Sequence, residues 1–333
     1  MKVSIRDISK ITGFSPATVS NALNYKKGVN KETAAEVFRV ARETGYINEN
    51  SIMKIKLVMF RKNGSILDDT PFFPAMISGF EQECRRAGYE MVLCNVDQRD
   101  DDYEHQVRAL LNEPGSAVVV LGTEMQDADM ELYKNAPCPL VLMDCWRENM
   151  DFNAVLINNE DSARMATEYL IQKGHKRIGY IRSNFRIKGF RSRYYGYQIA
   201  LRKARLEMDE KYIFSVPPNL NGAYREMLAY LDRRKDLPTA FFADNDLMAL
   251  GAMRALQERG YRIPEDISII GFDDLPFAEF STPRLTTLKV PNGEMGQMAV
   301  RRIVDLIEKR DNIKVKIEVC TKFVVRETVK DLN

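Results

Sequence analysis

Short apolar segments alternate with amphipathic segments through most of the chain, and this alternation is the feature that most restricts its fold. Apolar runs of strand length separated by helical patterns are typical of parallel strands joined by helices. The predicted strands lie near residues 56–60, 90–96, 117–121, 140–144, 155–158, 177–181, 240–243 and 267–272. The predicted helices lie near residues 74–87, 102–112, 127–134, 162–173, 194–204, 222–232 and 246–259. Because the pattern restarts after a polar interval at 147–153, we expect an α/β core of two similar lobes, each a parallel sheet flanked by helices.

The N-terminal residues have a different pattern, which predicts a small all-α headpiece. Ser4 is placed to cap a first helix. The apolar residues Ile5, Ile8 and Ile11 recur at a spacing that places them on one helical face. Gly13 then provides the permissive backbone that a tight turn requires.

A second helix begins with Ser15 followed by Pro16, which is a cap and a proline at the first helical position. Val19 and Ala22 can face the first helix, while the other face is small and polar. A third helical pattern at 30–45 completes the headpiece. The first two helices and their turn read as a helix-turn-helix, whose second helix can enter a DNA major groove.

The charge distribution is consistent with a local DNA-binding surface. The formal net charge of the whole chain is only +2, which excludes a uniformly basic coat. Residues 1–56 contain ten lysines and arginines and five acidic residues, a net charge of +5. The remainder is therefore slightly acidic, and contact with nucleic acid is expected from the headpiece alone.

The sequence excludes several other classes of protein. No apolar run reaches the roughly 18 residues of a membrane span, and the charged N-terminus lacks a signal peptide, so we expect a cytoplasmic protein with no membrane partner. Five cysteines without C-x-x-C spacing and only two histidines predict reduced thiols, no metal site and no cofactor. Without a phosphate-binding G-x-x-x-x-G-K-S/T loop or a G-x-S-x-G turn, we expect no enzyme and assign no catalytic residue.

Polar side chains follow several of the predicted strands, where ligands of open parallel sheets bind. These strand-end residues are Asp144, Asn158, Asn159, Asn245, Asp246, Asp273 and Asp274. Carboxylates and amides at such positions can bond several hydroxyl groups at once, and an aromatic side chain can cover the apolar face of a sugar ring. The implied ligand is small and polar.

Longer motifs resemble the lac repressor (LacI) family over nearly the whole chain. In the headpiece they are Ser-Pro-Ala-Thr-Val-Ser-Asn-Ala-Leu-Asn at 15–24, Val-Asn-Lys-Glu-Thr at 29–33 and Glu-Thr-Gly-Tyr at 43–46. In the core they are Thr-Pro-Phe-Phe at 70–73, Gly-His-Lys-Arg-Ile at 174–178, Arg-Tyr-Tyr-Gly-Tyr at 193–197 and the segments 243–251, 270–274 and 283–288. The resemblance implies a core built like a periplasmic sugar-binding protein.

By the same resemblance, the chain is expected to be a ligand-responsive transcriptional regulator, specifically a repressor of carbohydrate-utilisation genes. It would bind a pseudo-palindromic, double-stranded operator as a homodimer, under the control of a sugar or sugar phosphate held between the lobes. Arg193, Asn245 and Asp273 match positions that contact the effector in family members, and Asp144 matches a fourth. Which sugar binds, and whether it releases or strengthens DNA binding, are left open.

Two aromatic residues complete the predicted effector site. Phe73 is expected at the cleft, with Phe72 in the core or the reverse. Trp146 has two interpretations of equal weight, lining of the cleft and packing within a lobe. Asp274 has a lower expectation of ligand contact than Asp273, since aspartate also favours turns.

The resemblance also assigns DNA contacts. The residues at positions that bond phosphates in the family are Thr18, Ser20, Asn24 and Thr33. The capping Ser15 is expected to contact DNA with them. Bases would be read from the positions of Pro16, Ala17 and Asn21. Only Asn21 can make the two-bond contact that recognises adenine, so direct readout by this helix is expected to be sparse.

The expected domains are a headpiece at 1–50, a linker at 51–56, a first lobe at 57–146 plus about 289–315, and a second lobe at 154–286 plus a strand at about 316–328. The linker is shorter than the family's hinge helix, which inserts an apolar side chain into the minor groove. Ile52 or Met53 could supply a short wedge, although the favoured interpretation is that both begin the core.

Two alternatives come from other classes of protein. The core alone would suit a solute-binding protein for transport, which the headpiece argues against. The second alternative is an α/β enzyme with a regulatory headpiece, in which Asp144 or Asp273 would act in catalysis.

Overall fold

The computed structural model describes residues 3–23, 29–44, 46, 52–68, 70–149, 151–233, 236–309 and 313–333. Its helices are α1 (Ile5–Thr12), α2 (Pro16–Leu23), α3 (Lys31–Glu43), α4 (Phe72–Ala87), α5 (Tyr103–Asn112), α6 (Asn159–Gln172), α7 (Lys188–Lys203), α8 (Leu220–Arg233), α9 (Asp246–Glu258), α10 (Pro276–Phe280) and α11 (Asn292–Glu308). Its strands are β1 (Lys54–Arg61), β2 (Glu90–Asp97), β3 (Ser116–Leu121), β4 (Leu140–Met143), β5 (Asn153–Ile157), β6 (Ile178–Ser183), β7 (Ile213–Val216), β8 (Ala240–Ala243), β9 (Ser268–Ile270), β10 (Thr287–Lys289), β11 (Lys316–Val319) and β12 (Lys322–Val324).

The headpiece helices begin and end where their capping residues predict. Ser4 forms a capping box with Asp7 at the start of α1, and Gly13 ends the helix in the left-handed region at φ 75°. The Ser15 hydroxyl accepts a hydrogen bond from the Thr18 backbone N–H at 3.0 Å, which caps α2. Asn30 caps α3 by accepting from the Thr33 N–H at 2.7 Å, whereas Gly45, the expected stop, lies outside the described residues.

A small apolar core holds the three helices together. Ile8 and Val19 are fully buried in it, and the same cluster contains Ala22, Val37, Val40 and Ala41. The prediction for Ile11 was wrong, because 59% of its surface is exposed. Residues three and six positions after Ile5 drift progressively around the helix, so that Ile11 lies about 120° from Ile5 and outside the packed face.

The first lobe contains a six-stranded parallel sheet in the order β11-β5-β4-β3-β1-β2. Successive side chains of a strand point to opposite faces of the sheet. Leu57 of β1 belongs to the apolar cluster that includes α4 and α11 side chains, while its neighbour Val58 belongs to the cluster that includes α5. All six residues of β3 are buried, as expected for a central strand covered on both faces.

The second lobe repeats this construction with a four-stranded parallel sheet in the order β7-β6-β8-β9. Phe242 of β8 packs in the cluster that contains α6 and α7 side chains. The adjacent Phe241 packs in the cluster of α8 and α9. The antiparallel pair β10-β12 adjoins this sheet through bridges at Thr286 and Lys289.

Two strands lie in a different sheet from the one expected. The predicted boundaries placed residues 154–157 and 316–319 in the second lobe, but β5 pairs with β4 and β11 pairs with β5 in the first sheet. The polar interval after β4 is therefore a return loop within the first lobe and not a boundary. The chain passes between the sheets after β5, β10 and β11. In the described part of the chain, no helix is both long and apolar enough to cross a membrane.

Candidate effector cavity and recognition helix

A cavity lies between the lobes at the carboxyl ends of strands from both sheets, enclosing about 460 Å³ of space that is partly open to solvent. Its lining residues are Ser65, Ile66, Thr70, Phe72, Phe73, Thr123, Asp144, Ile157, Ile187, Phe190, Arg193, Pro218, Asn245, Leu247 and Asp273. Five of the six predicted effector residues are therefore brought together, and the sixth, Trp146, is not among them. The lining combines apolar walls with a few polar groups, as small-molecule sites do.

Arg193 is held rigidly at the base of this cavity. Its Nε donates to Asn159 Oδ1 at 2.8 Å, and its Nη1 donates to the backbone oxygen of Asp244. Its guanidinium lies over the Phe272 ring, 3.5 Å from the centroid. Nη2 is 3.6 Å from Asp273 Oδ1, and the arginine side chain is only 5% exposed. A buried, preorganised cation of this kind orients polar ligand groups with little loss of side-chain entropy.

Two carboxylates face the cavity from unusual backbone conformations. Asp144 directly follows β4 with φ 58°, and Asp273 follows β9 with φ 118°. Non-glycine residues rarely adopt positive φ, and such conformations concentrate at ligand sites where the surrounding structure imposes them. Thr123 Oγ1 donates to Asp144 Oδ2 at 2.7 Å and fixes that carboxylate.

The pKa values of both carboxyls are raised. Burial raises the pKa of Asp144 to about 6, against the opposing effects of the Thr123 hydrogen bond and the Arg193 charge. Burial raises the pKa of Asp273 to about 7; Arg193 opposes the increase, whereas the charges of Asp144 and Asp244 add to it. Burial thus disfavours ionisation of both carboxyl groups, although the charge of Arg193 partly offsets this effect.

Asn245 has a structural contact in addition to its position in the cavity wall. Its Oδ1 accepts from the Met248 N–H at 2.9 Å and caps α9, while its Nδ2 donates to the Pro218 oxygen at 3.4 Å. The adjacent carboxylates are structural as well. Asp244 accepts from Tyr180 Oη at 2.5 Å, and Asp246 accepts from the Thr287 hydroxyl at 2.6 Å.

The aromatic candidates divide differently from expectation. Phe72 and Phe73 both line the cavity and both belong to the apolar core, packing edge to face with centroids 5.2 Å apart. The Trp146 ring instead lies near two ammonium groups, with Lys188 Nζ 5.5 Å and Lys316 Nζ 5.3 Å from its centroid. Its contact with the effector stays a prediction.

Asp274 does not line this cavity. Its carboxylate accepts from Arg326 Nη2 at 2.7 Å and lies 3.7 Å from Lys289 Nζ. This arrangement agrees with the lower expectation of ligand contact for Asp274 than for Asp273.

Sequence reasoning missed several residues of the cavity. Thr123 follows β3 after one glycine, so the same search for polar strand ends could have found it. Phe190 lies one helical turn before Arg193, where helical spacing could have indicated it. Glu124 left no sequence signal: it is fully buried and accepts five backbone N–H bonds from Lys62, Asn63, Gly64, Ile66 and Leu67, which fixes the loop that carries Ser65.

The recognition helix presents its predicted DNA-contacting face outward. Ser15, Pro16 and Ala17 are exposed, whereas Thr18, Ser20, Asn21 and Thr33 are half-buried. Asn24 lies outside the described residues. Val19 and Ala22 are the buried residues of α2, and the helix packs that side against the headpiece core. Ala17 and Asn21 lie on the opposite side of α2.

Comparison with known proteins places these features in a family. Residues 4–49 match the group described as bacterial regulatory proteins of the lacI family, and residues 167–329 match a periplasmic binding protein-like domain. The HTH-type transcriptional repressor PurR of Mannheimia succiniciproducens is 31% identical over 332 residues, covering 99% of both chains. The PurR protein of Vibrio atlanticus is 31% identical over 335 residues and covers 99% of both chains. The chain belongs to the lacI family of bacterial regulatory proteins.

Solved structures agree with this assignment. The transcriptional regulator CelR in complex with cellobiose is 28% identical, with a TM-score of 0.75 and coverage of 98% of this chain and 99% of that one. The lac repressor dimer bound to operator and the anti-inducer ONPF shares the fold at 22% identity, with a TM-score of 0.77 and coverage of 99% and 100%. A lacI-family member is a DNA-binding transcriptional regulator, so the enzyme interpretation was wrong.

Proposed function

We propose that this lacI-family regulator represses carbohydrate-utilisation genes, binding a pseudo-palindromic operator as a dimer under the control of a small sugar-like effector. The observation that carries the proposal is the presence, in one chain, of a recognition helix with an exposed side and of a cavity between two lobes that combines apolar walls with polar groups. Because operator DNA is the partner, the protein acts in the cytoplasm.

The recognition helix α2 reads DNA sparsely. Asn21 bonds a base edge, and Pro16 and Ala17 make apolar contacts such as those with a thymine methyl group. Ser15, Thr18, Ser20, Asn24 and Thr33 bond phosphates and set the orientation of the helix without reading sequence.

Dimerisation brings two recognition helices to successive major grooves of the operator. Two aromatic side chains on α10 support an assembly of this kind, since Phe280 is 82% exposed and Phe277 is 52% exposed. Leu93, on the edge strand β2, is 46% exposed. Contiguous exposed apolar patches mark interfaces, whereas single exposed apolar side chains are common on monomers, so the pair on α10 carries more weight than Leu93.

The effector binds between the lobes through Asp144, Arg193, Asn245 and Asp273, with Phe73 against its apolar face. Trp146 contacts the effector only if the lobes rearrange on binding. A ligand shifts the equilibrium between lobe arrangements only if it binds one arrangement more tightly than the other. A coupling free energy of about 1–3 kcal/mol between effector binding and operator binding changes DNA affinity about 5- to 150-fold. The cellobiose named with the CelR structure supports a sugar as the ligand class.

A gel-shift assay with the promoter of the chain's own operon tests this proposal. We expect retardation at low salt and a change in operator affinity when the correct sugar is added. Asn21→Ala should lower affinity for the operator by about 1–3 kcal/mol while leaving affinity for unrelated DNA nearly unchanged. Thr18→Ala is the matched control, since loss of a phosphate contact should weaken binding to the operator and to unrelated DNA by similar factors. Absence of retardation with or without sugars would refute the proposed function.

A further inference from the structure

The cavity contains more acidic than basic groups. Asp144 and Asp273 both face it. Among the described residues that line it, Arg193 is the one with a basic side chain. Two of the guanidinium nitrogens of Arg193 already donate to Asn159 and to the Asp244 backbone. The third points toward Asp273. An anionic ligand would therefore meet two buried acidic side chains, and a cation whose hydrogen-bond donors are largely occupied by protein groups.

Cations next to the lining in sequence are also engaged. Arg186 donates to the carboxylate of Asp244, which is fully buried. Lys188 forms an ion pair with Asp127, and Lys62 Nζ is 2.8 Å from Asp129 Oδ2. To bind a phosphate group, any of these three side chains would have to leave its carboxylate partner.

The start of α4, which borders the cavity, offers little to an anion. A helix N-terminus binds phosphate through free N–H groups in its first turn. Here Pro71 and Pro74 have no N–H, and the N–H of Phe72 donates to Thr70 Oγ1 at 3.2 Å. At the start of α9 the Met248 N–H is taken by Asn245.

Hydroxyl groups, in contrast, match the cavity well. The carboxylates accept hydrogen bonds, the third nitrogen of Arg193 donates, and Ser65 and Thr70 can do either. Phe73 and Phe190 offer apolar surface to the carbon skeleton. We propose that the effector of this cavity is an uncharged, polyhydroxylated molecule and that the cavity excludes the phosphate esters of such molecules. This inference rests on the proposed function, because it concerns the ligand of the same regulator.

The direction of the pKa changes supports the exclusion of anions. Burial raises the pKa of Asp273, and the charges of Asp144 and Asp244 raise it further. An environment that makes ionisation of its own carboxyl groups unfavourable also disfavours a phosphate that enters it.

Thermal unfolding of the full chain tests the inference. The probes are ribose, glucose, cellobiose and a panel of other neutral saccharides and polyols, each compared with its phosphate monoester at constant ionic strength and neutral pH. We expect at least one neutral probe to raise Tm by about 5 °C at saturation. Its ester should bind at least about 100-fold more weakly. Stabilisation by an ester as large as that by its parent, or no stabilisation by any neutral probe, would overturn the inference.

Two variants show whether the charge of the cavity causes the selection. The comparison is made at about pH 8, above the raised pKa of Asp273, where Asp273→Asn removes one negative charge from the lining. We expect the ratio of ester to sugar dissociation constants to fall. Asp232→Asn removes the same charge from the surface of α8, where the carboxylate pairs with Arg259, and should leave the ratio unchanged. Equal ratios in both variants and the wild type would contradict a role for cavity charge. Operator binding without sugar, measured on the same samples, separates this failure from failure of the proposed function.

Discussion

At the scale of single residues, the cavity combines features that are costly for folding. Asp144 and Asp273 adopt positive φ values, and each carboxyl has a raised pKa. Left-handed backbone in a non-glycine residue costs on the order of 1–3 kcal/mol, which the surrounding sheets must offset. Among the described residues, the other non-glycine positions with positive φ are Asp274, next to Asp273, and Arg205, which follows α7. Three of these four strained positions therefore lie at or beside the cavity.

The carboxyl of Asp273 is expected to make stability depend on pH. Because its folded pKa is about 7, the folded chain retains a proton that the unfolded chain releases above about pH 4. The stabilisation is present at low pH and lost as pH rises from about 4 to 7, by on the order of 4 kcal/mol. We expect Asp273→Asn to remove this loss, so that in urea titrations the variant gains stability relative to the wild type as pH rises.

Exposed Glu226 on α8 provides the control for that experiment. Glu226→Gln should give a pH profile of unfolding free energy parallel to that of the wild type. If the difference between Asp273→Asn and the wild type were constant with pH, the pKa of Asp273 in the folded chain would not be raised.

At the scale of elements, glycines allow the paired helices to pack closely. A Cβ on Gly296 of α11 would lie 2.3 Å from the backbone oxygen of Met76 in α4. One on Gly196 of α7 would lie 2.2 Å from the Glu160 oxygen. Gly196 belongs to a motif of the family resemblance, and the close packing of α6 and α7 is a physical reason for a glycine there.

Two glycines of α11 permit a matched test of this packing. Gly296→Ala should lower the free energy of unfolding by about 1–3 kcal/mol, because the new methyl group forces α4 and α11 apart. A Cβ on Gly293 would lie 3.6 Å from the Ala75 oxygen, an ordinary contact. Gly293→Ala should therefore be neutral or stabilising by up to about 1 kcal/mol through helix propensity. Similar destabilisation of both variants in urea titrations would contradict this explanation.

At the scale of the whole molecule, an ion pair joins the two lobes beside the cavity. Asp127 lies between β3 and β4 of the first lobe, and Lys188 begins α7 of the second. Lys188 also lies over Trp146, the only tryptophan of the chain. In the same region Gln126 Nε2 donates to the Arg186 oxygen across the lobes at 3.4 Å.

Reversal of one charge of this ion pair should change lobe closure. Asp127 is more than half exposed, so the pair is worth about 0.2–1 kcal/mol. We expect Asp127→Lys to weaken effector binding by about 1.5- to 5-fold and to increase acrylamide quenching of Trp146 fluorescence. The double change of Asp127→Lys with Lys188→Asp should restore both. Lack of restoration, with quenching unchanged in the single variant, would show that the pair does not hold the lobes together.

Much of this molecule follows from short-range patterns. The caps Ser4, Ser15 and Asn30 act over three residues, so that the helices of the headpiece could be predicted from the sequence. The polar residues that follow strands, such as Asp144 and Asp273, lie together in the cavity as expected. The reason is that the carboxyl ends of parallel strands lie at one edge of a sheet.

The sequence by itself determined the helix-turn-helix, the two α/β lobes and the region where a ligand would bind, because periodicity and capping depend on neighbouring residues. Only the tertiary structure decided that β11 pairs with β5, with Lys316 opposite Ala154, and that Trp146 packs outside the cavity. It also decided that Glu124 organises a loop some sixty residues earlier in the chain. These contacts join segments far apart in sequence, and their energy depends on burial that no local pattern records.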